Sequence, residues 1–477
     1  MKKTVLMVPM VMGIVLGMPA VSGANPLSTQ ENRTSVATVG STAKGSVTSS
    51  SLTEKALTEN ATQLSNLIRR AIGEDYQRIS LYHQADAQRE MGIASGTYMD
   101  PKLRFGAANV PVDSWSLTDD SMTNLTLGVS QQFPRGDTLQ LQKEKAFQQA
   151  DVTEDSVQLR GLAVAQSVSR LWLQLGYLKE AHSNLSTRIA LQRQLVRQLE
   201  TNYALGKKSV QDVLSVELAV STLEEKLDLN WQQQQQIQAQ LSEWLGANWL
   251  TSNAANAASN QVQWQSLDGL LSQMTVGDHY PQFKQHPLLH QADKRIAIKQ
   301  TDIALQEQNY KPQWGIEVAY GDRRASSMTT GKAPDVVSAF ITLDIPLFTS
   351  NKQDRSVNAA KYELGSARLD RDLLIQKMNA QVNGLLSDLN GLQQRTLRYC
   401  DHLLPQSQAH LAAVKRAYDS NTASFAEWVT ANVNSLALQL DYEQLVTQTN
   451  QTKADLAYWL NAFPVDVIEL THQRSSF

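Results

Sequence analysis

The sequence is poor in cysteine, in net charge and in long hydrophobic runs. Cys400 is the single cysteine among 477 residues, so the chain cannot form an intramolecular disulfide or a cysteine-based zinc site. Lys and Arg total 43 against 46 for Asp and Glu, and this balance argues against a nucleic-acid-binding protein. Beyond the N-terminus no apolar run approaches the roughly 18 residues of a membrane helix, which excludes a polytopic helical transporter.

Reactive motifs are also missing. The sequence has no Gly-x-Ser-x-Gly motif, and the segment 206–209 (Gly-Lys-Lys-Ser) lacks the earlier glycine of a phosphate-binding loop. His286 and His290 have the spacing of a metal pair, but Pro287 sets His286 at a helix start and no third ligand lies nearby in the sequence. We therefore predict no enzyme activity, no cofactor and no metal site, and we interpret Cys400 as a buried or idle thiol.

The N-terminus has the three parts of a secretory signal peptide. Lys2 and Lys3 precede an apolar stretch over 5–21, and small residues follow at 22–24. This pattern predicts a signal peptide over 1–24, with an uncleaved anchor helix as the alternative. Residues 25–50 are rich in Ser, Thr, Gly and Asn, so we predict a flexible tether there.

The rest of the chain repeats one plan. The segment Tyr203 to Asp212 recurs as Tyr418 to Glu427, and Leu-Ser-Glu-Trp-Leu at 241–245 recurs at the same spacing as Leu-Ala-Tyr-Trp-Leu at 456–460. We therefore predict two repeats of helix, strand, strand, long helix, long helix. The predicted bounds are 51–246 for repeat 1, 247–285 for an irregular equatorial segment, 286–463 for repeat 2 and 464–477 for a tail.

Three segments alternate sharply between apolar and polar residues, as strands do, and a fourth segment, the first along the chain, is less regular. The predicted strands are 101–112, 123–134, 312–322 and 335–348, and Phe340 breaks the polar face of the last one. Each has about the 10 residues of a tilted membrane strand. A soluble half-buried sheet has the same period, but the export signal and the helices favour the membrane.

The predicted helices are long, and those of repeat 1 lie in a stretch without proline between Pro134 and Pro281. In repeat 1 they cover 137–203, roughly 100 Å of helix, and 208–246, where apolar residues have coiled-coil spacing. In repeat 2 they cover 351–419, with a kink or break at Pro405, and 424–462.

Four strands cannot close a barrel, and an open sheet edge cannot exist in lipid. The strands must then be completed by other copies of the chain, eight from two or twelve from three. Glu317 and Asp344 are predicted on the polar, inward face of such a barrel. The hollow assembly predicted in this way is a conduit.

The signal peptide, the doubled plan and the Tyr-x-x-Gly-x-x-Ser-x-x-Asp-Val-Leu segment at 203–214 together resemble the TolC-family outer-membrane efflux proteins. The segments Asp-Pro-Lys-Leu-Arg-Phe at 100–105 and Leu-Gly-Val-Ser-Gln-Gln-Phe-Pro-Arg-Gly at 127–136 look more like the heavy-metal (cation) branch than the drug branch. The resemblance implies a mainly helical homotrimer with a twelve-stranded barrel in the outer membrane and an α-helical barrel in the periplasm. It also implies a periplasmic adaptor and an inner-membrane pump of the RND type as partners.

The resemblance further implies a periplasmic gate with acidic rings. By alignment the rings fall on Glu427 and Thr430, so one ring lacks its acid. The basic residue of a latch falls on Ala423, and the acidic and aromatic latch positions fall on Asp212 and Tyr418. Both acids also fit capping boxes, because each follows a serine by three residues, so gate and cap stay open as roles of Glu427.

The resulting hypothesis is a passive efflux duct, with metal cations as the first expected cargo and drugs as the second. The alternative is a soluble periplasmic coiled-coil adaptor or scaffold, which explains the long helices but not the apolar strand faces. A secreted enzyme would need a reactive constellation that the sequence does not offer.

Overall fold

Long helices dominate the structure, a computed structural model that describes residues 47–251, 253–327 and 331–464. The chain divides into two compact units, Met1–Ser51 and Leu52–Phe477, and only 47–51 of the first are described. The predicted signal peptide (1–24), most of the tether (25–50) and residues 465–477 of the tail lie outside the described residues. A helix begins at Val47, so residues 47–50 of the predicted tether are helical, which corrects the predicted end of the tether.

The order helix, strand, strand, long helix, long helix occurs twice in the described chain. The longer helices are α1 (Val47–Gly73), α2 (Tyr76–Ser95), α3 (Thr138–Ala204), α4 (Val210–Leu245), α7 (Pro287–Gln308), α8 (Gln353–Arg398), α9 (Leu404–Asp419) and α10 (Phe425–Trp459). The strands are β1 (Lys102–Ala108), β2 (Asn124–Phe133), β3 (Gln313–Asp322), β4 (Ser326–Ser327), β5 (Gly331–Lys332) and β6 (Val336–Asp344). The prediction of a mainly helical chain is confirmed, and its strands form a small antiparallel sheet.

Some element bounds differ from the predicted ones. β1 ends at Ala108, short of 112, because Asn109 adopts a φ of +57° that strand backbone does not allow. Before Pro405 the helix neither breaks nor stops: a π-helical turn over Tyr399–Leu403 joins α8 to α9 and accommodates the missing proline N–H. The segment 247–285 holds two 3-10 turns and two short helices, α5 (Gln265–Leu271) and α6 (Tyr280–Phe283).

The four longer strands form one antiparallel sheet in the order β1-β2-β3-β6. The helices that precede or follow these strands pack in the matching order, α2 on α3, α3 on α7 and α7 on α8. A row of four helices therefore continues a row of four strands. None of the described helices combines the length and the mean apolarity needed to cross a bilayer.

The main core forms where the segment 247–285 crosses the long helices. It joins side chains from helices α1, α3, α4, α8 and α10, among them Ile68, Trp172, Leu241, Met378 and Leu456. Gly176 of α3 permits the crossing, because a Cβ there would lie 2.2 Å from the backbone of Ser259. Buried Asn260 then donates to Glu443 and Thr447 of α10, which fixes the segment to that helix.

His286 joins the start of α7 to the end of α10 and is fully buried. Its Nδ1 accepts from the Leu288 N–H at 3.2 Å, and its Nε2 lies 3.1 Å from the carbonyl oxygen of Tyr458. These two bonds fit a neutral ring protonated on Nε2. Burial lowers the pKa of His286 to about 4, against the opposing effect of the Tyr458 carbonyl.

The depressed pKa makes stability depend on pH. Because the unfolded state binds the proton more tightly, the contribution of His286 is complete above pH 6.5 and is lost as the pH falls towards 4. We expect the wild type to lose about 3 kcal/mol over that window beyond the loss of the His286→Gln variant. Thermal unfolding followed by circular dichroism at several pH values measures this. His410→Gln, at an exposed histidine of α9, is the control and should behave as wild type; equal pH slopes for all three proteins would contradict the assignment.

Candidate functional site

The sheet has one apolar and one polar face, and its register makes both continuous. Cross-strand rows such as Leu103–Val129–Val318–Ala339 and Phe105–Leu127–Tyr320–Val337 form what we call the apolar face. Most of these side chains are exposed, Phe105 to 82% and Val337 to 72%. An apolar surface of this extent on a soluble protein would mark an interaction site.

The opposite side, here called the polar face, carries both acids predicted for the lumen. Glu317 accepts from Arg104 at 3.2 Å, and Asp344 forms an ion pair with Arg135. Arg104 reaches Glu317 across β2 at the level of Gly128, which has no side chain in the way. Neither arginine was predicted as a partner of these acids, because β1 alternates too irregularly for its sequence alone to place Arg104 on this face.

Helices α3 and α4 form a first helical hairpin, and helices α9 and α10 form a second. The two hairpins are built alike, as their sequences predict. The residues between their helices include Gly206 (φ +71°) and Asn421 (φ +58°), at equivalent left-handed positions that glycine and asparagine tolerate best. Ser209 accepts from the Asp212 N–H, and the Ser209 N–H donates to the Asp212 carboxylate at 3.1 Å, so a full capping box begins α4. These hydrogen bonds from the Ser209 backbone and hydroxyl lower the pKa of Asp212.

The second hairpin is capped by Ser424, which accepts from the Glu427 N–H at 3.2 Å. The Glu427 carboxylate accepts from the Ser424 hydroxyl at 3.2 Å. Glu427 and Thr430 are both exposed at the start of α10. The carboxylate of Glu427 is therefore in contact with its cap and still open to solvent.

An aromatic cluster packs at the tip of the second hairpin. Tyr418 stacks on Trp428 at 6.3 Å and 22°, and Phe425 contacts both rings. Next to it, a hydrophobic cluster joins the two hairpins through Leu195, Leu199, Val213, Val429 and Val433. The structure thus brings the predicted gate segments together at one end of the helices.

The latch positions are not joined to each other. Asp212 hydrogen-bonds with Ser209, whereas Tyr418 packs against Trp428 and Phe425. Ala423 has no charge to offer. The aromatic partners Phe425 and Trp428 were not predicted, although both lie within ten residues of Tyr418.

The other candidate residues have structural explanations. Among the described residues no three His, Cys, Asp or Glu side chains are grouped to hold a metal ion. His286 uses both ring nitrogens within the core. Cys400 is exposed in the π-helical turn, so of the two interpretations, a buried or an idle thiol, the buried one is wrong. Cys400 hydrogen-bonds with Tyr442, and burial together with this bond raises the pKa of Tyr442 to about 12.

Solved structures of membrane proteins, outer-membrane channels among them, share this architecture. A membrane protein from Pseudomonas aeruginosa is 17% identical with a TM-score of 0.68, and the match covers 85% of this chain and 94% of that one. The outer membrane protein VceC of Vibrio cholerae is 15% identical with a TM-score of 0.63, and the match covers 84% of this chain and 96% of that one. The CmeC outer membrane channel of Campylobacter jejuni is 10% identical with a TM-score of 0.64, and the match covers 84% of this chain and 86% of that one.

The chain has the fold of outer-membrane channels. This confirms, at the level of the fold, the predicted resemblance to the TolC-family outer-membrane efflux proteins. No protein-family model matches the sequence, and no curated protein matches it. The resemblance to the heavy-metal branch stays a prediction.

The capping box gives a local test of the first hairpin. We expect Ser209→Ala to cost about 1 kcal/mol at the start of α4, because it removes the acceptor for the Asp212 N–H. Amide hydrogen exchange at Asp212 should then accelerate about five-fold. Ser215→Ala, which removes a hydroxyl bonded to the Asp212 carbonyl, is the matched control; the same acceleration in both variants would argue against the cap.

Proposed function

We propose that the chain is one subunit of a passive outer-membrane efflux channel. The observation that carries this proposal is the sheet, whose apolar face is exposed while its edge strands β1 and β6 lack a second neighbour among the described strands. In water such a face is unfavourable, and in lipid it is the expected surface. Open edges are excluded from lipid, so strands of other copies must complete the sheet.

Three copies would supply twelve strands, a number within the range of membrane barrels. The same closure would join the helix rows, because α2 and α8 stand at the ends of the row as β1 and β6 do in the sheet. The homotrimer, the twelve-stranded barrel and the periplasmic α-helical barrel belong to this proposal. So do the adaptor and the RND-type pump, which rest on the family resemblance.

In this proposal the polar face lines the lumen, with Glu317 and Asp344 on it. The paired helical hairpins would form the periplasmic gate, with Glu427, Thr430, Asp212 and Tyr418 near its opening. The cargo follows from the resemblance alone, with metal cations first and drugs second. The competing proposal, a soluble periplasmic adaptor or scaffold, would leave the apolar face in water.

Two adjacent residues of β6 test the membrane assignment. Ala339 lies on the apolar face and Ser338 on the polar face. We expect Ala339→Lys to cost about 2–4 kcal/mol in the bilayer and to remove most of the heat-modifiable trimer from the outer-membrane fraction. Ser338→Lys should leave the trimer in place, because its side chain points into the aqueous lumen. Salt-extractable wild-type protein, or equal behaviour of the two variants, would favour the soluble adaptor.

The second hairpin offers a test of the gate. Residues 418–427 include Asp419 and Glu427 but no lysine or arginine, whereas the first hairpin has Lys207 and Lys208. In a trimer, the three copies of the Glu427 carboxylate around a narrow opening would attract cations. We therefore expect Glu427→Gln to lower the cation preference of single channels, read as a reversal potential in a KCl gradient, and Thr430→Glu to raise it.

Glu90→Gln provides the control for these measurements. Glu90 is an exposed glutamate of α2, which packs beside the N-terminal half of α3, far along that helix from the hairpin. The reversal potential of Glu90→Gln channels should equal that of wild-type channels. An unchanged potential in Glu427→Gln would leave this residue with the capping role only.

A further inference from the structure

The polar face carries one large apolar side chain that its pattern does not explain. Phe340 of β6 pairs with Glu317 across the sheet, on the same side as Ser338 and Thr342. Its neighbour Ile341 points to the apolar face and pairs with Ile316. Phe340 is 58% exposed, so the sheet does not bury its ring.

The residues around Phe340 are too small to cover it. Ser338 and Thr342 flank it along β6, and Ala319 and Gly315 lie opposite them on β3. The side chains of neighbouring positions on one face of a sheet stand about 5–7 Å apart. The phenyl ring therefore projects above this part of the polar face.

The two acids near the ring are each paired with an arginine. Glu317, the direct cross-strand partner, is bonded to Arg104, and Asp344 is paired with Arg135. A solute passing over this region meets two internally neutralised pairs, the exposed Lys102 of β1 in the same cross-strand row as Phe340, and one open aromatic surface. The largest contact that β6 offers to such a solute is the apolar ring of Phe340.

We infer that Phe340 is a specificity-determining residue of the channel, which contacts the apolar or aromatic part of an organic cargo in the barrel lumen. The inference rests on the proposed function, because closure of the barrel makes the polar face a lumen and presents one ring from each copy. It favours organic molecules over hydrated metal cations, for which a phenyl ring supplies no oxygen, nitrogen or sulfur ligand. Of the two cargo classes, the structure thus favours the one that the sequence resemblance ranks second.

Block of single channels by two probes of equal charge tests the inference. Benzyltriethylammonium carries a ring and tetraethylammonium does not, and each is added on the barrel side of a planar bilayer. We expect Phe340→Ala to weaken block by the ring-bearing probe about two- to five-fold, the size of one exposed aromatic contact. Block by tetraethylammonium should change less, and Phe340→Tyr should retain the wild-type response.

Ile341→Ala is the matched control, since Ile341 is the next residue, 78% exposed on the opposite face. Both probes should block Ile341→Ala channels as strongly as they block wild-type channels. Conducting channels in which Phe340→Ala and wild type are blocked alike would overturn the inference while leaving the proposed function intact. Loss of the trimer in both Phe340→Ala and Phe340→Tyr, but not in Ile341→Ala, would overturn it too, because the residue would then pack between subunits. A wild type that forms no channel would instead reject the proposed function.

Discussion

The backbone groups at the two edges of the sheet set the strongest constraint on this molecule. Among the strands that the structure describes, β1 and β6 each pair on one side only, and the apolar face between them is exposed. Water would satisfy the edges but not the face, whereas lipid would satisfy the face but not the edges. Pairing with further copies of the same chain satisfies both, which is why the proposed function requires an assembly and not a single subunit.

The sheet and the helices are tied together at their junction, so one constraint acts on both. Phe133 and Trp314 stack at 4.3 Å where β2 and β3 meet the helices. Below them Arg135 donates to the carbonyl of Asn309, and Lys311 pairs with Asp137. Because these contacts join the two repeats, the direction of the strands fixes the direction in which α3 and α7 continue. An assembly that closes the strands would then bring the helix rows into a closed arrangement as well.

The sequence predicted those features that depend on local pattern. Alternation located the strands and their two faces, and the scarcity of proline located α3 and α4. What it could not supply depends on register: the Arg104–Glu317 pair spans three strands, and β1 is too irregular to reveal its phase alone. The end of β1 depends on the backbone of Asn109, and the π-helical turn before Pro405 is a cooperative adjustment that no single residue type specifies.

Counting charges in a sequence gives a misleading view of a lumen, and the two ends of this molecule illustrate why. On the polar face the acids Glu317 and Asp344 look like a cation-attracting surface until the register pairs each with an arginine. At the second hairpin the acid Glu427 bonds to an uncharged serine, and the segment 418–427 contains no basic residue. Attraction of cations in the proposed channel therefore belongs at the hairpin end, because the field of an unpaired carboxylate survives there. The polar face, where both acids are paired, offers shape and apolar contact at Phe340.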